Sequence, residues 1–186
     1  MPAEGITFDI MELFDLYDKN RVPLGLTLER GKPMPEGCFH IVVHACIFNS
    51  RGELLIQQRQ PFKKGWPGKW DLSCGGCAIS GEDSRTAMER ELKEELGLEI
   101  SLEGIRPAMT VNFNTGFDDI YTITRDMNLA DLHLQAEEVN AVQWAPIEQV
   151  LAMIDEDIFV PYHKDLIRFL FYMRNHKGAL THGRGL

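Results

Sequence analysis

Three carboxylates, Glu91, Glu94 and Glu95, fall within the run Arg90-Glu91-Leu92-Lys93-Glu94-Glu95-Leu96-Gly97-Leu98. On a helix this spacing gathers them on one arc about 100° wide. Carboxylate oxygens are the donors hard divalent cations prefer. Three such charges side by side repel one another unless a cation sits among them. The chemistry open to this face is to hold a divalent cation against a phosphate. The plainer alternative is a solvated acidic face on which Arg90 pairs with Glu94 at i,i+4. Gly76, Glu82 and Gly97 argue for the site, because a solvated face has no need of them.

The element that must position these groups is a short helix. Ser80, Asp83 and Ser84 are candidate N-caps, and Gly97 is suited to the left-handed residue that closes a helix. At 100° per residue Met88, Leu92 and Leu96 share a core-facing arc. Ala87 falls within the acidic arc, where a small side chain leaves room for a metal and its waters. The double glycine Gly75-Gly76 ahead of the helix reads as a turn, and a glycine there lets backbone approach a ligand closely.

Seven fixed positions (Gly76, Glu82, Arg90, Glu91, Glu94, Glu95, Gly97) and two aliphatic ones match a single pattern over residues 76–98. On average residue usage, a chance match has odds on the order of 10⁻⁹ per start position. The segment resembles the complete Nudix box, and the resemblance covers residues 12–154, with the final helix peripheral to it. It implies an α/β fold, an α/β/α sandwich around a mixed sheet. It also implies Mg²⁺- or Mn²⁺-dependent hydrolysis of a diphosphate joined to another moiety, by in-line attack of water. Glu91, Glu94 and Glu95 take the family's metal-ligand positions, joined by the carbonyl of Gly75. Glu82 and Arg90 take the positions of a pair that braces the loop onto the helix. The catalytic base varies in such proteins: Glu91 or Glu94 can serve, as can Glu137 or Glu138 just before the strand at Val139. Outside the box, Lys63 and Lys64 are candidates for phosphate contact and Trp66 or Phe62 for stacking on a ring, against the alternative of an ordinary basic loop with a packed Trp. Homodimers are common in the family.

A second resemblance runs through Phe39-His40, Phe48-Asn49 and Lys63-Lys64-Gly65-Trp66-Pro67-Gly68-Lys69-Trp70, which is similar to isopentenyl-diphosphate isomerase. That enzyme's catalytic cysteine corresponds to Gly75 here, and one of its metal-binding histidines to Cys77. His40 matches another ligand, but Pro33 stands where a further histidine belongs. Cys74 lies one residue out of register, which on a strand turns it to the opposite face. The hydrolase subgroup with an isomerase-like N-terminal half is the better match. A non-catalytic Nudix binding module is a third alternative, but such modules usually lose box glutamates, and none is lost here.

Composition sets outer bounds. The 186 residues carry 44% hydrophobic and 25% charged side chains, as expected of one soluble globular domain spanning 1–186. A net charge of −9 argues against a nucleic-acid polymer or anionic membrane as partner. It does not argue against a small diphosphate substrate, since bound metal inverts the local field. The first residues lack a basic and apolar leader, so a cytoplasmic location is expected. Cys74-Gly-Gly-Cys77 has redox or zinc spacing, but further donors are distant and its glycines belong to the box, so reduced structural thiols are expected.

Strands are expected over residues 11–17, 39–48, 53–58, 70–74, 105–114, 119–125 and 139–144. Residues 24–37 are rich in Pro and Gly and read as a loop. Amphipathic helices are expected over 146–154 and 163–174, followed by a poorly ordered tail over 175–186.

Overall fold

A computed structural model describes residues 12–176 and Gly178. The leader region, Met11 of the first expected strand, and most of the tail lie outside the described residues.

Strand β1 (Leu13–Tyr17) pairs antiparallel with β2 (Pro23–Glu29) as a separate two-stranded sheet. The reading of 24–37 as a loop is therefore corrected over its first half. Pro23 opens the strand, where a missing N–H is tolerated, and Gly25 adopts φ 67 within it. Between the strands, the Asp18 carboxylate accepts the backbone N–H groups of Asn20 and Val22, both at 2.8 Å, which closes the turn.

The main sheet contains β3 (His40–Phe48), β4 (Leu54–Arg59), β5 (Trp70–Asp71), β6 (Cys74–Cys77), β7 (Met109–Phe113), β8 (Gly116–Thr124) and β9 (Val139–Ala145). Its path runs β5-β4-β3-β8-β7, with β6 also on β3 and β9 also on β4. β3 lies parallel to β8, while the other pairings are antiparallel, so the sheet is mixed. Period-2 alternation sorts β3 between two cores. Ile41, Val43, Ala45 and Ile47 pack with helix α1 (Ser84–Leu96). Cys46 and Phe48 pack with helices α2 (Ile147–Asp155) and α3 (Lys164–Met173). The result is the expected α/β/α sandwich.

Three expectations change. The strand at 70–74 is two strands, and the Gly75-Gly76 pair lies inside β6 instead of forming a turn, with His44↔Gly75 and Val43↔Gly76 in register. The strands expected over 105–114 and 119–125 meet in a hairpin that closes at Phe113↔Gly116, so the second of them starts earlier than expected. Gly116 serves close packing there, since a Cβ on it would stand 2.4 Å from the carbonyl oxygen of His40. The final helix is not peripheral: Ile167, Leu170 and Phe171 of α3 are buried in the second core.

Gly97 ends α1 at φ 70, and a Cβ there would lie 2.7 Å from the Cβ of His133. Backbone strain and the clash act together, so Gly97→Ala should lower unfolding free energy by about 1–3 kcal/mol. Urea denaturation checks this; an unchanged midpoint would contradict the account of how the helix ends.

Candidate active site

Asp83, not Ser80 or Ser84, caps α1. Its carboxylate accepts the Thr86 N–H at 2.8 Å, and the Thr86 hydroxyl accepts the Asp83 N–H at 3.0 Å. At the other end the N–H groups of Gly97 and Leu98 bond back to the carbonyls of Lys93 and Leu92, both at 3.0 Å. Met88, Leu92 and Leu96 are fully buried between these caps and set the phase of the helix. Ala87 is also fully buried in that core. It does not leave room at the acidic face, and the earlier reading of it is corrected.

With the phase fixed, Glu95 is buried, the Glu91 side chain is 12% exposed and the Glu94 side chain 50% exposed. Arg90 gathers the surrounding groups. Its Nε and Nη2 donate to the two oxygens of Glu82 at 2.8 and 3.0 Å, and Nη2 also donates to the Cys77 carbonyl at 3.0 Å. Nη1 donates to Glu91 and to Glu94, each at 2.9 Å. Glu82 in turn accepts the Ile79 N–H at 3.1 Å, tying the loop to the helix. Gln57 of β4 donates to Glu95 at 3.0 Å, and the Gly75 N–H reaches the same oxygen at 3.4 Å.

The two glycines of β6 are required by space. A Cβ on Gly76 would fall 2.1 Å from Oε1 of Glu91, and one on Gly75 would fall 2.3 Å from Cδ2 of His44. The adjacent positions thus face opposite sides of the sheet, one toward the carboxylates and one toward a histidine.

Burial, and next the charge of Glu95, push Glu91 up to about 7 despite Arg90. Burial raises Glu95 as well, against the hydrogen bonds it receives from Gln57, Cys74 and Gly75. Burial works against protonation of His44, but the charge and hydrogen bond of Asp118, 2.8 Å from Nδ1, with Asp71 and Glu95 beyond, raise it to about 8. Among the described residues no three His, Cys, Asp or Glu side chains stand in ligand geometry around one point. The donor set nonetheless fits a hard divalent cation. It offers carboxylate oxygens, carries unbalanced negative charge and faces a glycine with no Cβ to fill the space.

These groups line a cleft of about 220 Å³. Glu91, Glu94, Glu95, Gly75 and Gly76 form its acidic side, and Arg30, Arg59, Lys63 and His44 stand around the remainder. A wider cavity of about 720 Å³ shares Arg30, Arg59, Lys63 and Glu138 with it and adds Phe62 and Lys64. Lys63 forms an ion pair with Glu138. Trp66, 48% exposed, lines neither space; the Lys69 ammonium sits over its ring at 5.7 Å. Cys74 is fully buried in the core beneath α1, which drives its thiol pKa well up, whereas Cys77 borders the cleft. All four cysteines are unbridged.

Glu12, Arg30, Gln57, Arg59 and His44 have no place in the sequence reading of the site. Glu12 and Arg30 reach it because β1 and β2 pair, and Arg30 donates to Glu12 at 2.5 Å. Gln57, Arg59 and His44 carried a weak signal, as polar residues on otherwise apolar strands.

A mixed sheet between helices, with a glycine strand facing a carboxylate helix, is an α/β/α architecture that presents an acidic cleft. The chain belongs to the Nudix family: the NUDIX domain model matches residues 39–168. It is 45% identical over 171 residues to a Nudix hydrolase of Listeria monocytogenes, covering 92% of this chain and 98% of that one. The crystal structure of DR0079 from Deinococcus radiodurans superimposes with a TM-score of 0.71 at 26% identity, covering 86% of this chain and 99% of that one. An isopentenyl-diphosphate Delta-isomerase of Escherichia coli is 28% identical over 145 residues, covering 75% of this chain and 80% of that one. Among the described residues no helix is long and apolar enough to cross a membrane.

The raised carboxyl groups make a prediction for the metal-free protein. A raised pKa means the folded state holds the proton after the unfolded chain has lost it, so stability falls as pH rises through that interval. Glu91 acts between its ordinary value and about 7, and His44 between its ordinary value and about 8. The Tm should therefore fall by roughly 5 °C or more between about pH 5 and pH 8. Calorimetry in the presence of chelator measures it, and a flat or rising Tm would refute the charge assignment.

Proposed function

We propose that this Nudix hydrolase cleaves a diphosphate linkage in a small molecule of the nucleoside-diphosphate-X type, using Mg²⁺ or Mn²⁺. The observation that carries the reading is the sharing of one cleft by two opposed charge sets. Glu91, Glu94 and Glu95 occupy one side, and Arg30, Arg59 and Lys63 occupy the other. A diphosphate would suit such a pair of sets, its oxygens paired with Arg30, Arg59 and Lys63 and its remaining charge neutralised by a cation that the carboxylates would hold.

Glu91, Glu94 and Glu95, with the carbonyl of Gly75, would hold the divalent cation, which when bound neutralises phosphate oxygens and acidifies water. Gln57 and the Gly75 N–H fix the rotamer of Glu95. Arg90 fixes Glu91 and Glu94 and braces the loop through Glu82. Arg59 and Lys63 bind the phosphate oxygens in ground state and transition state alike. Glu91 or Glu94 accepts the proton of the attacking water. Glu138 engages Lys63 and so shapes the phosphate wall. Lys64 and Phe62 line the adjoining cavity, where the moiety beyond the diphosphate would lie. Trp66 is given no substrate contact.

Gly75 weighs against isomerase chemistry, since it stands where that reaction needs a thiol and Cys74 is buried on the other face of the sheet. The intact carboxylate set weighs against a pure binding module.

A panel of nucleoside-diphosphate-X compounds incubated with Mg²⁺ or Mn²⁺, read by product mass, tests the proposal. Monophosphate products should form, and Glu94→Gln should lower kcat by at least ~100-fold, since a metal's charge stabilisation is worth several kcal/mol. Undiminished turnover in the Glu94→Gln protein would remove the assigned ligand set, and absence of hydrolysis across the panel would remove the activity.

A further inference from the structure

Tyr162 belongs to the arm that joins α2 to α3, after the last strand of the sheet. Its hydroxyl donates to Oδ1 of Asp71 at 2.9 Å. Oδ2 of the same buried carboxylate accepts Nη1 of Arg59 at 3.2 Å. Arg59 has one further tie, from Nε to the Gly65 carbonyl at 3.0 Å. Among the described residues these two bonds engage two of its five N–H donors, leaving three on a side chain that borders both the cleft and the wider cavity. On its other side, the Tyr162 oxygen lies 3.5 Å from Nε2 of His44, the ring that covers Gly75.

The arm is held independently of this hydroxyl. The Trp70 N–H bonds to the Ile158 carbonyl at 2.9 Å, and the Val160 N–H to the Trp70 carbonyl at 2.8 Å. The Tyr162 ring also packs edge-on against Phe159, with centroids 6.3 Å apart. Backbone bonds and ring packing therefore dock the arm, which leaves the hydroxyl free for another task. A phenolic oxygen has one hydrogen, and here Asp71 takes it. With Oδ1 engaged by Tyr162 and by the Leu72 N–H at 2.8 Å, the carboxylate plane is fixed and Oδ2 is presented to Arg59 in one direction.

We propose that Tyr162 is a positioning residue for the diphosphate cleft, its hydroxyl orienting Asp71 and, through Asp71, the guanidinium of Arg59 that receives a substrate phosphate. The inference rests on the diphosphate reading above and extends it to the C-terminal arm. Tyr162 touches no substrate. It acts on ground-state phosphate binding, so its removal should change KM more than kcat.

The test uses inorganic pyrophosphate as probe, titrated calorimetrically into the full-length protein with and without Mg²⁺. The proteins are wild type, Tyr162→Phe, Arg59→Gln and the double variant. Loss of one hydrogen bond in the chain should weaken pyrophosphate binding by roughly 3- to 10-fold in Tyr162→Phe. Arg59→Gln should weaken it at least as much, and the double variant no further than Arg59→Gln alone, because the two residues act in series. In steady state with a cleaved substrate, KM should rise by a similar factor while kcat stays within about 2-fold. Asp71→Asn reads the same link should Tyr162→Phe not fold: it should weaken pyrophosphate binding, and the Asp71→Asn/Arg59→Gln double variant should bind no more weakly than Arg59→Gln alone. Wild-type affinity in a folded Tyr162→Phe protein, or strictly additive losses, would overturn the inference and leave the hydrolase reading standing. A wild-type protein that neither binds pyrophosphate nor cleaves any diphosphate would remove both.

Discussion

The Arg90 guanidinium has five N–H donors, and the fold supplies an acceptor for each: both oxygens of Glu82, the Cys77 carbonyl, Glu91 and Glu94. A lysine could not substitute, because its point charge lacks the planar fork that reaches five acceptors at once. The arrangement leaves specific atoms over. Arg90 takes Oε1 of Glu91 and Oε2 of Glu94, so the second oxygen of each carboxylate has no protein donor among the described residues. Those oxygens, with the carboxylate of Glu95, are the ones a cation would use. Arginine and a bound cation would then share the carboxylates without competing for the same atoms.

The placement of Arg90 depends on events some distance away in sequence. Asp83 and Gly97 fix where α1 starts and stops, and Met88, Leu92 and Leu96 fix its rotation. A different cap would turn the carboxylates along the helix surface by 100° for each residue of slip. The pairing of β6 with β3 fixes the opposite wall. Because adjacent strand positions face opposite sides, Gly75 and Gly76 open space on both faces at once: one holds the ring of His44, the other the carboxylate of Glu91.

The helix, its caps, its core face and the acidic trio were legible in the sequence because each rests on local spacing. So was the layer architecture, since periodicity sorts residues into faces and the box anchors the register. What escaped depends on pairing between distant segments. β2 was hidden because Pro23 and Gly25 signal a loop, while its hydrogen bonds come from β1. With β2 unseen, Arg30 and Glu12 could not be placed beside the cleft. The glycine pair was misread as a turn because glycine marks both a tight turn and a close approach, and only the neighbouring strand tells them apart. Ala87 differs for another reason: the helical wheel puts it inside the acidic arc, yet the packed sheet and helix bury it completely with the core residues.

Net charge says little about such a site. At −9 overall the chain should repel a diphosphate, yet exposed charges beyond about 8–10 Å are screened at physiological salt, so the local sorting of charge decides. That sorting comes from topology. The carboxylates arrive on one helix, while Arg30, Arg59 and Lys63 arrive from the end of β2, the end of β4 and the loop after it. Each cation of this basic wall therefore sits at a strand end or in a loop, and is held by a carboxylate: Glu12 for Arg30, Asp71 for Arg59 and Glu138 for Lys63. Three of the 28 acidic residues thus serve to build the basic wall. A substrate phosphate would meet cations whose orientation has already been set by their partners, which lowers the ordering cost of binding.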